Sequence, residues 1–328
     1  MEFSPEVLRA QAQRLTDRLV KDNSGILAVY LRGSLLYGSP LIGGAGDIDL
    51  VLIYHQPPEL DREILPLTPE IHFDLAHHDQ LTYHDPRRLR TTTWLGPTLR
   101  DAQPLHDPKH FIDYTQSSVR GRYDSPETVQ ARAHPLLEEA RQFWLDRQLA
   151  PPLGTLGEIQ PFLSAVEKTV NALALLDGPP LPTRRLGASF PAVAHRHDPE
   201  LLPSFYQTLG GHHLEVIDLQ NWLKPWSEAL SAGQGTILAQ QKTYFRDAVD
   251  FLLEGEQPLS ALWPLLSTWT DACGHLPADH PGRQTWREAC GKLGLAGNDY
   301  QHRLSSLDQF LELAEACFQR RFRDQDWG

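Results

Sequence analysis

The sequence predicts an α+β protein in which a small mixed-sheet core is followed by a mostly α-helical bundle. Two observations carry this. Strand-like runs, the apolar Ile26–Leu31 and Ile48–Tyr54 and the alternating Glu70–Ala76, are confined to the first third of the chain, and period-two alternation marks a half-buried strand. Past about residue 115 those signals fade and apolar residues recur at helical spacing. A chain of 328 residues has two domains as its default expectation. The change of character divides it into 1–118 and 119–328.

The elements follow in order. Ser4-Pro5 supplies an N-cap and a first helical residue, and Leu8, Ala12, Leu15 and Leu19 then form one apolar stripe. Three strand runs come next, and Gln103-Pro-Leu-His106 reads as a short further strand at an edge. Residues 84–101, rich in Arg and Thr, include a short helix. In the second half Ser125-Pro126-Glu127 opens a helical pattern that Pro135 is expected to kink or restart. Phe162, Val166, Val170 and Leu173 mark another helix, stopped by Asp177-Gly178-Pro179-Pro180. Stretches near 236–253 and 304–322 repeat the pattern, and together these read as a bundle.

The chemistry concentrates in Leu31-Arg-Gly-Ser-Leu-Leu-Tyr-Gly-Ser-Pro-Leu-Ile-Gly-Gly-Ala-Gly-Asp-Ile-Asp-Leu50. Gly33-Ser34 stands where the first strand gives way to a turn, and glycine there lets a phosphate approach the backbone amides and the Ser34 hydroxyl. Asp47 and Asp49 lie two apart on the next strand, so their carboxylates project from one face, as hard oxygen ligands for Mg²⁺. In Glu70–Ala76 the residues Ile71, Phe73 and Leu75 share one face, while Glu70, His72 and Asp74 share the other. If that strand lies beside Ile48–Tyr54, Asp74 faces the pair. Three carboxylates suffice for two metal ions about 3.5–4 Å apart, the clamp for in-line displacement at phosphorus.

Gly-Ser, a twelve-residue spacer, Asp-Ile-Asp-Leu and a later acidic strand residue together resemble the DNA polymerase β-like nucleotidyltransferase superfamily. Within it the chain is most similar to bacterial small-molecule enzymes such as the streptomycin/spectinomycin adenylyltransferases. The likeness covers about residues 1–115 well and the helical remainder weakly. It implies a nucleotidyltransferase core at 1–118, with Gly33 and Ser34 on nucleotide phosphate, Asp47 and Asp49 on Mg²⁺, and Asp74 as a third metal ligand or general base. ATP, or another NTP, is the implied co-substrate. Two departures stand out: Gly46 occupies a position where many members carry Ser, and Asp74 one where the antibiotic-modifying enzymes carry Glu. The helix 162–177 followed by Arg184-Arg185 resembles a helix–basic-turn pattern in those enzymes, which implies that Arg185, or Arg184, contacts the triphosphate.

Composition selects the acceptor class. The net charge of −12, from 30 basic against 42 acidic residues, argues against gripping a nucleic-acid backbone and suits a small or cationic acceptor such as an aminoglycoside. The acceptor is expected between the two domains. Modification of a protein or tRNA, synthesis of signalling oligonucleotides, and a non-catalytic nucleotide-binding module are the alternatives. The start Met-Glu-Phe-Ser-Pro-Glu lacks the signature of a signal peptide, and no run reaches the roughly 18 apolar residues of a membrane span. Cys273, Cys290 and Cys317 have no metal-ligand spacing, so a reducing cytoplasm is expected. Trp222, Trp226, Trp263 and Trp269 read as core anchors rather than substrate stackers. The histidine pairs His77-His78, His195/His197 and His212-His213 read as structural or surface groups. Glu167 reads as an exposed helix residue, with presentation of its carboxylate to an acceptor as the alternative.

Overall fold

The computed structural model describes residues 3–38, 40–149, 155–232 and 241–323. The chain forms two compact units, Met1–Arg132 and Ala133–Gly328. In the first, helix α1 (Pro5–Asp22) precedes strands β1 (Ile26–Arg32), β2 (Gly46–Tyr54), β3 (Arg62–Pro66) and β4 (Ile71–Asp79). Two short helices, α2 (Pro86–Leu89) and α3 (Leu95–Asp101), occupy the Arg- and Thr-rich stretch, ahead of strand β5 (Gln103–His106) and helix α4 (Phe111–Arg120). The Ser4 hydroxyl caps α1 by accepting from the Val7 amide.

The five strands form one mixed sheet in the order β3-β4-β2-β1-β5. β2 and β4 run parallel, and the remaining pairs are antiparallel. β5 takes an edge, as its short run predicts. β3 at the other edge has no counterpart in the sequence reading. It has five residues with one buried side chain, Ile64, so its apolar signal is weak.

Each sheet face has its own core. On one, Leu8, Ala12 and Leu15 of α1 pack over Val29, Leu31, Ile48, Leu50, Leu52, Ile71, Phe73 and Leu75. On the other, Tyr30, Val51, Ile53 and Ala76 are covered by Leu89 of α2, Leu99 of α3, and Ile112 and Val119 of α4. Tyr83 enters this second core with its hydroxyl bonded to Tyr30 Oη at 3.0 Å and His78 Nδ1 at 2.6 Å. A buried hydroxyl needs such partners.

Helix α5 (Pro126–Leu149) continues through Pro135 without restarting. A proline removes one hydrogen bond, and long helical segments on either side keep the helix in register. The second unit continues with α6 (Leu156–Ala174), α7 (Thr183–His197), α8 (Leu201–Thr208), α9 (Val216–Ala232), α10 (Gln241–Glu254), α11 (Leu262–Gly274), α12 (Pro281–Lys292) and α13 (Tyr300–Phe322). α6 begins before Phe162 because Thr155 and Glu158 form a capping box. Of the expected helix at 236–253, residues 236–240 lie outside the described residues. Trp222, Trp226, Trp263 and Trp269 are buried as core anchors, with Trp226 Nε1 donating to Thr268 Oγ1 at 2.9 Å. No helix among the described residues is long and apolar enough to cross a membrane.

Leu50 is fully buried between the sheet and α1. Leu50→Ala should therefore destabilise the protein by about 2–5 kcal/mol in urea denaturation. A change below about 0.5 kcal/mol would contradict the packing described.

Candidate metal and phosphate site

Alternation along β2 sends Ile48, Leu50 and Leu52 into the α1 core and leaves Asp47, Asp49 and Val51 on the other face. The parallel register sets Asp47 beside His72 and Asp49 beside Asp74, while β1 sets Arg32 beside Asp49 on the other side. One row across the sheet is therefore Arg32, Asp49, Asp74. The next row, Tyr30, Val51, Ala76, lies under the apolar cover of α2–α4. The polar cluster thus occupies the part of this face where the apolar cover ends.

Asp47, Asp49 and Asp74 each bring a carboxylate oxygen within 4.8 Å of the others. Among the described residues they are the one group of three His, Cys, Asp or Glu side chains that meets this closeness. The set consists of hard oxygen donors with a shared negative charge, which fits Mg²⁺ or Mn²⁺ and does not fit a soft, thiolate-seeking metal.

Gly33 is built against this cluster. Its φ of +80° and ψ of −161° belong to a backbone region that is essentially glycine's alone. A Cβ there would stand 2.1 Å from Asp49 Oδ2, so only a bare Cα lets the turn lie on the carboxylate. Ser34 opens the short 3₁₀ turn Ser34–Tyr37, with its hydroxyl donating to the Pro40 carbonyl at 3.5 Å.

Two arginines flank the carboxylates. Arg62 of β3 grips Asp74 in a fork, Nε to Oδ1 at 2.8 Å and Nη2 to Oδ2 at 2.5 Å. Arg32 Nη2 stands 3.9 Å from Asp49 Oδ1, a purely Coulombic distance. Burial, and then the neighbouring Asp47 and Asp74 charges, hold the Asp49 carboxyl well above its ordinary range, against the pull of Arg32 and Arg62. Neither arginine, nor the buried His72 beside Asp47, was marked by a motif. Arg62 was hidden because its strand was, and Arg32 reads as an ordinary strand end.

Arg185, the remaining sequence candidate, belongs to the second unit as the third residue of α7, where it is half-buried. Its neighbour Arg184 is buried with its guanidinium 3.6 Å from the Tyr244 ring centroid, a packed cation–π pair. Glu167 is not exposed as its place on α6 suggested. It is half-buried and accepts from Thr183 Oγ1 at 3.3 Å, and burial pushes its carboxyl above the ordinary range. Of the histidine pairs, His77 and His78 have structural contacts, with Tyr54 Oη 2.9 Å from His77 Nδ1 and His78 in the Tyr83 network, while His195, His212 and His213 are exposed. All three cysteines are buried free thiols.

In comparisons with known proteins, the chain matches no family model and no curated protein.

Two outcomes follow from the crowding. Gly33→Ala combines backbone strain with a clash on Asp49, and should lower stability by about 1–3 kcal/mol in urea denaturation. Asp49→Ala as a second change should return part of that loss, and full additivity of the two would show that Gly33 and Asp49 do not touch.

The raised carboxyl fixes the sign of a pH effect. Between the ordinary carboxylate range and its elevated folded value, the native state holds a proton that the unfolded chain has released, so stability falls as pH rises. In chelator at pH 7, Asp49→Asn should therefore melt higher than the native sequence, and the gap should close as pH falls toward about 4. A lower melting temperature for Asp49→Asn at pH 7 would contradict this.

Proposed function

We propose that this protein is a nucleotidyltransferase that moves the AMP of ATP onto a hydroxyl of a small, cationic acceptor, with release of pyrophosphate. The observation that carries the reading is the gathering of Asp47, Asp49 and Asp74 on one sheet face with the Gly33 turn laid directly on Asp49. A carboxylate trio alone is a cation site. A glycine turn on top of it supplies a place for a phosphate to meet that cation.

In this reading Asp47, Asp49 and Asp74 hold Mg²⁺. When bound, the ion neutralises triphosphate charge and polarises the α-phosphate. The Gly33-Ser34 turn takes the nucleotide phosphates. The acceptor hydroxyl oxygen forms a bond to the α-phosphorus as the bond to the bridging oxygen breaks, releasing pyrophosphate. The hydroxyl proton passes to Asp74 where that residue is the base, or to solvent water where Asp74 is a ligand and the hydroxyl would be acidified by the metal. Arg32 and Arg62 limit the repulsion among the three acids in the absence of a cation. The net charge of −12 favours a cationic acceptor over a polyanion.

The test is incubation of the full chain with α-labelled ATP and Mg²⁺ together with either an aminoglycoside panel or total tRNA. Label on a small molecule, with stoichiometric pyrophosphate, is the expected result, and Asp47→Asn with Asp49→Asn should lower it by at least about 10³-fold. Label on tRNA or protein would overturn the acceptor class. Mg²⁺-dependent ATP binding with no pyrophosphate from any acceptor class would favour a non-catalytic nucleotide-binding module.

A further inference from the structure

Asp74 is the most buried of the three carboxylates, yet both of its oxygens are engaged by one guanidinium. Arg62 reaches it from an edge strand. In the β3–β4 register Arg62 stands opposite Ala76, and Ile64 stands opposite Asp74. The Arg62 side chain therefore leans along the strand to make a diagonal pair. It does so with half of its own surface in water, 51% exposed against 5% for Asp74. Release of the pair moves the exposed partner and leaves the buried one in place. Arg32 differs: at 3.9 Å it makes no fork with Asp49.

We propose that Arg62 is the resident counter-ion of the third carboxylate, a positioning residue that competes with a divalent cation for Asp74 and so sets the affinity of the cluster. The proposal rests on the reading of the three aspartates as a metal centre. A cation entering beside Asp47 and Asp49 meets Asp74 already neutralised, and gains it as a ligand only when the fork opens. The long Arg62 stem and solvated head make that opening a side-chain rotation, with no strand movement required.

The test measures Mn²⁺ affinity of the full chain by the electron paramagnetic resonance signal of the free ion, without nucleotide and without turnover. Arg62→Gln should bind Mn²⁺ about tenfold tighter than the native sequence, on the scale of one lost charge-assisted pair. Removal of any nearby positive charge favours a cation, so the gain must be measured again in an Asp74→Asn background, where it should fall to about twofold. Arg62→Lys retains the charge and loses the fork, and should also bind tighter than the native sequence.

An Arg62→Gln affinity equal to or weaker than native, or an equal gain with and without Asp74, overturns the proposal and leaves the metal centre intact. Absence of Mn²⁺ binding in both the native and Arg62→Gln proteins overturns the metal centre and the proposal with it. If Arg62→Gln fails to fold by circular dichroism, Arg62→Lys decides: tighter binding supports competition, and unchanged or weaker binding refutes it.

Discussion

The architecture of the first unit turns on a repulsion. Three carboxylates are brought within 4.8 Å of one another where the apolar cover of a sheet face ends, and burial together with the neighbouring charges raises the cost of ionising Asp49. Their neighbours answer that constraint. Arg62 and Arg32 close in from opposite sides, the glycine turn accepts a conformation open to few residues, and the apolar cover of α2–α4 packs the neighbouring rows of Val51 and Ile53. A fold selected for stability alone gains little from such a cluster, and charge crowding retained in a sheet is a mark of function. A divalent cation relieves all three charges at once, which is why the metal reading explains the cluster better than a solvated strand entrance does.

Much of the sheet was legible because alternation is written residue by residue. Asp47-Ile-Asp-Leu50 and Ile71-His-Phe-Asp-Leu75 each send apolar side chains to α1 and acids to the far face, and parallel pairing then aligns Asp49 with Asp74. β5 was visible as a short run between turns. β3 was not, since one buried isoleucine in five residues carries no period. That omission hid Arg62, because the fork depends on which strand borders β4 and on how far a long side chain leans. Register supplies both facts, and a local pattern supplies neither. The exposure of Glu167 was misjudged for a similar reason, as its burial depends on Thr183 of the following helix.

Helical periodicity marked α5, α6, α10 and α13, did not mark α7, α8, α9, α11 and α12 of the second unit, and said little of their chemistry. Its four candidate tryptophans are core, and Arg184 is paired with Tyr244. The proposed substrate class therefore rests on charge: a net charge of −12 disfavours a nucleic-acid backbone and favours a cationic acceptor, and the proposed triphosphate would be held by local contacts and its metal.

The central claim is that the carboxylates of β2 and β4 form a divalent-metal centre which meets nucleotide phosphate at the Gly33 turn. Crystals grown with Mn²⁺ and a non-hydrolysable ATP analogue test it most directly, through the anomalous signal of manganese. The account predicts a peak at about 2.0–2.2 Å from oxygens of Asp47 and Asp49, with analogue phosphate density beside Gly33 and Ser34. Manganese bound elsewhere, or nucleotide bound away from this sheet face, would contradict it.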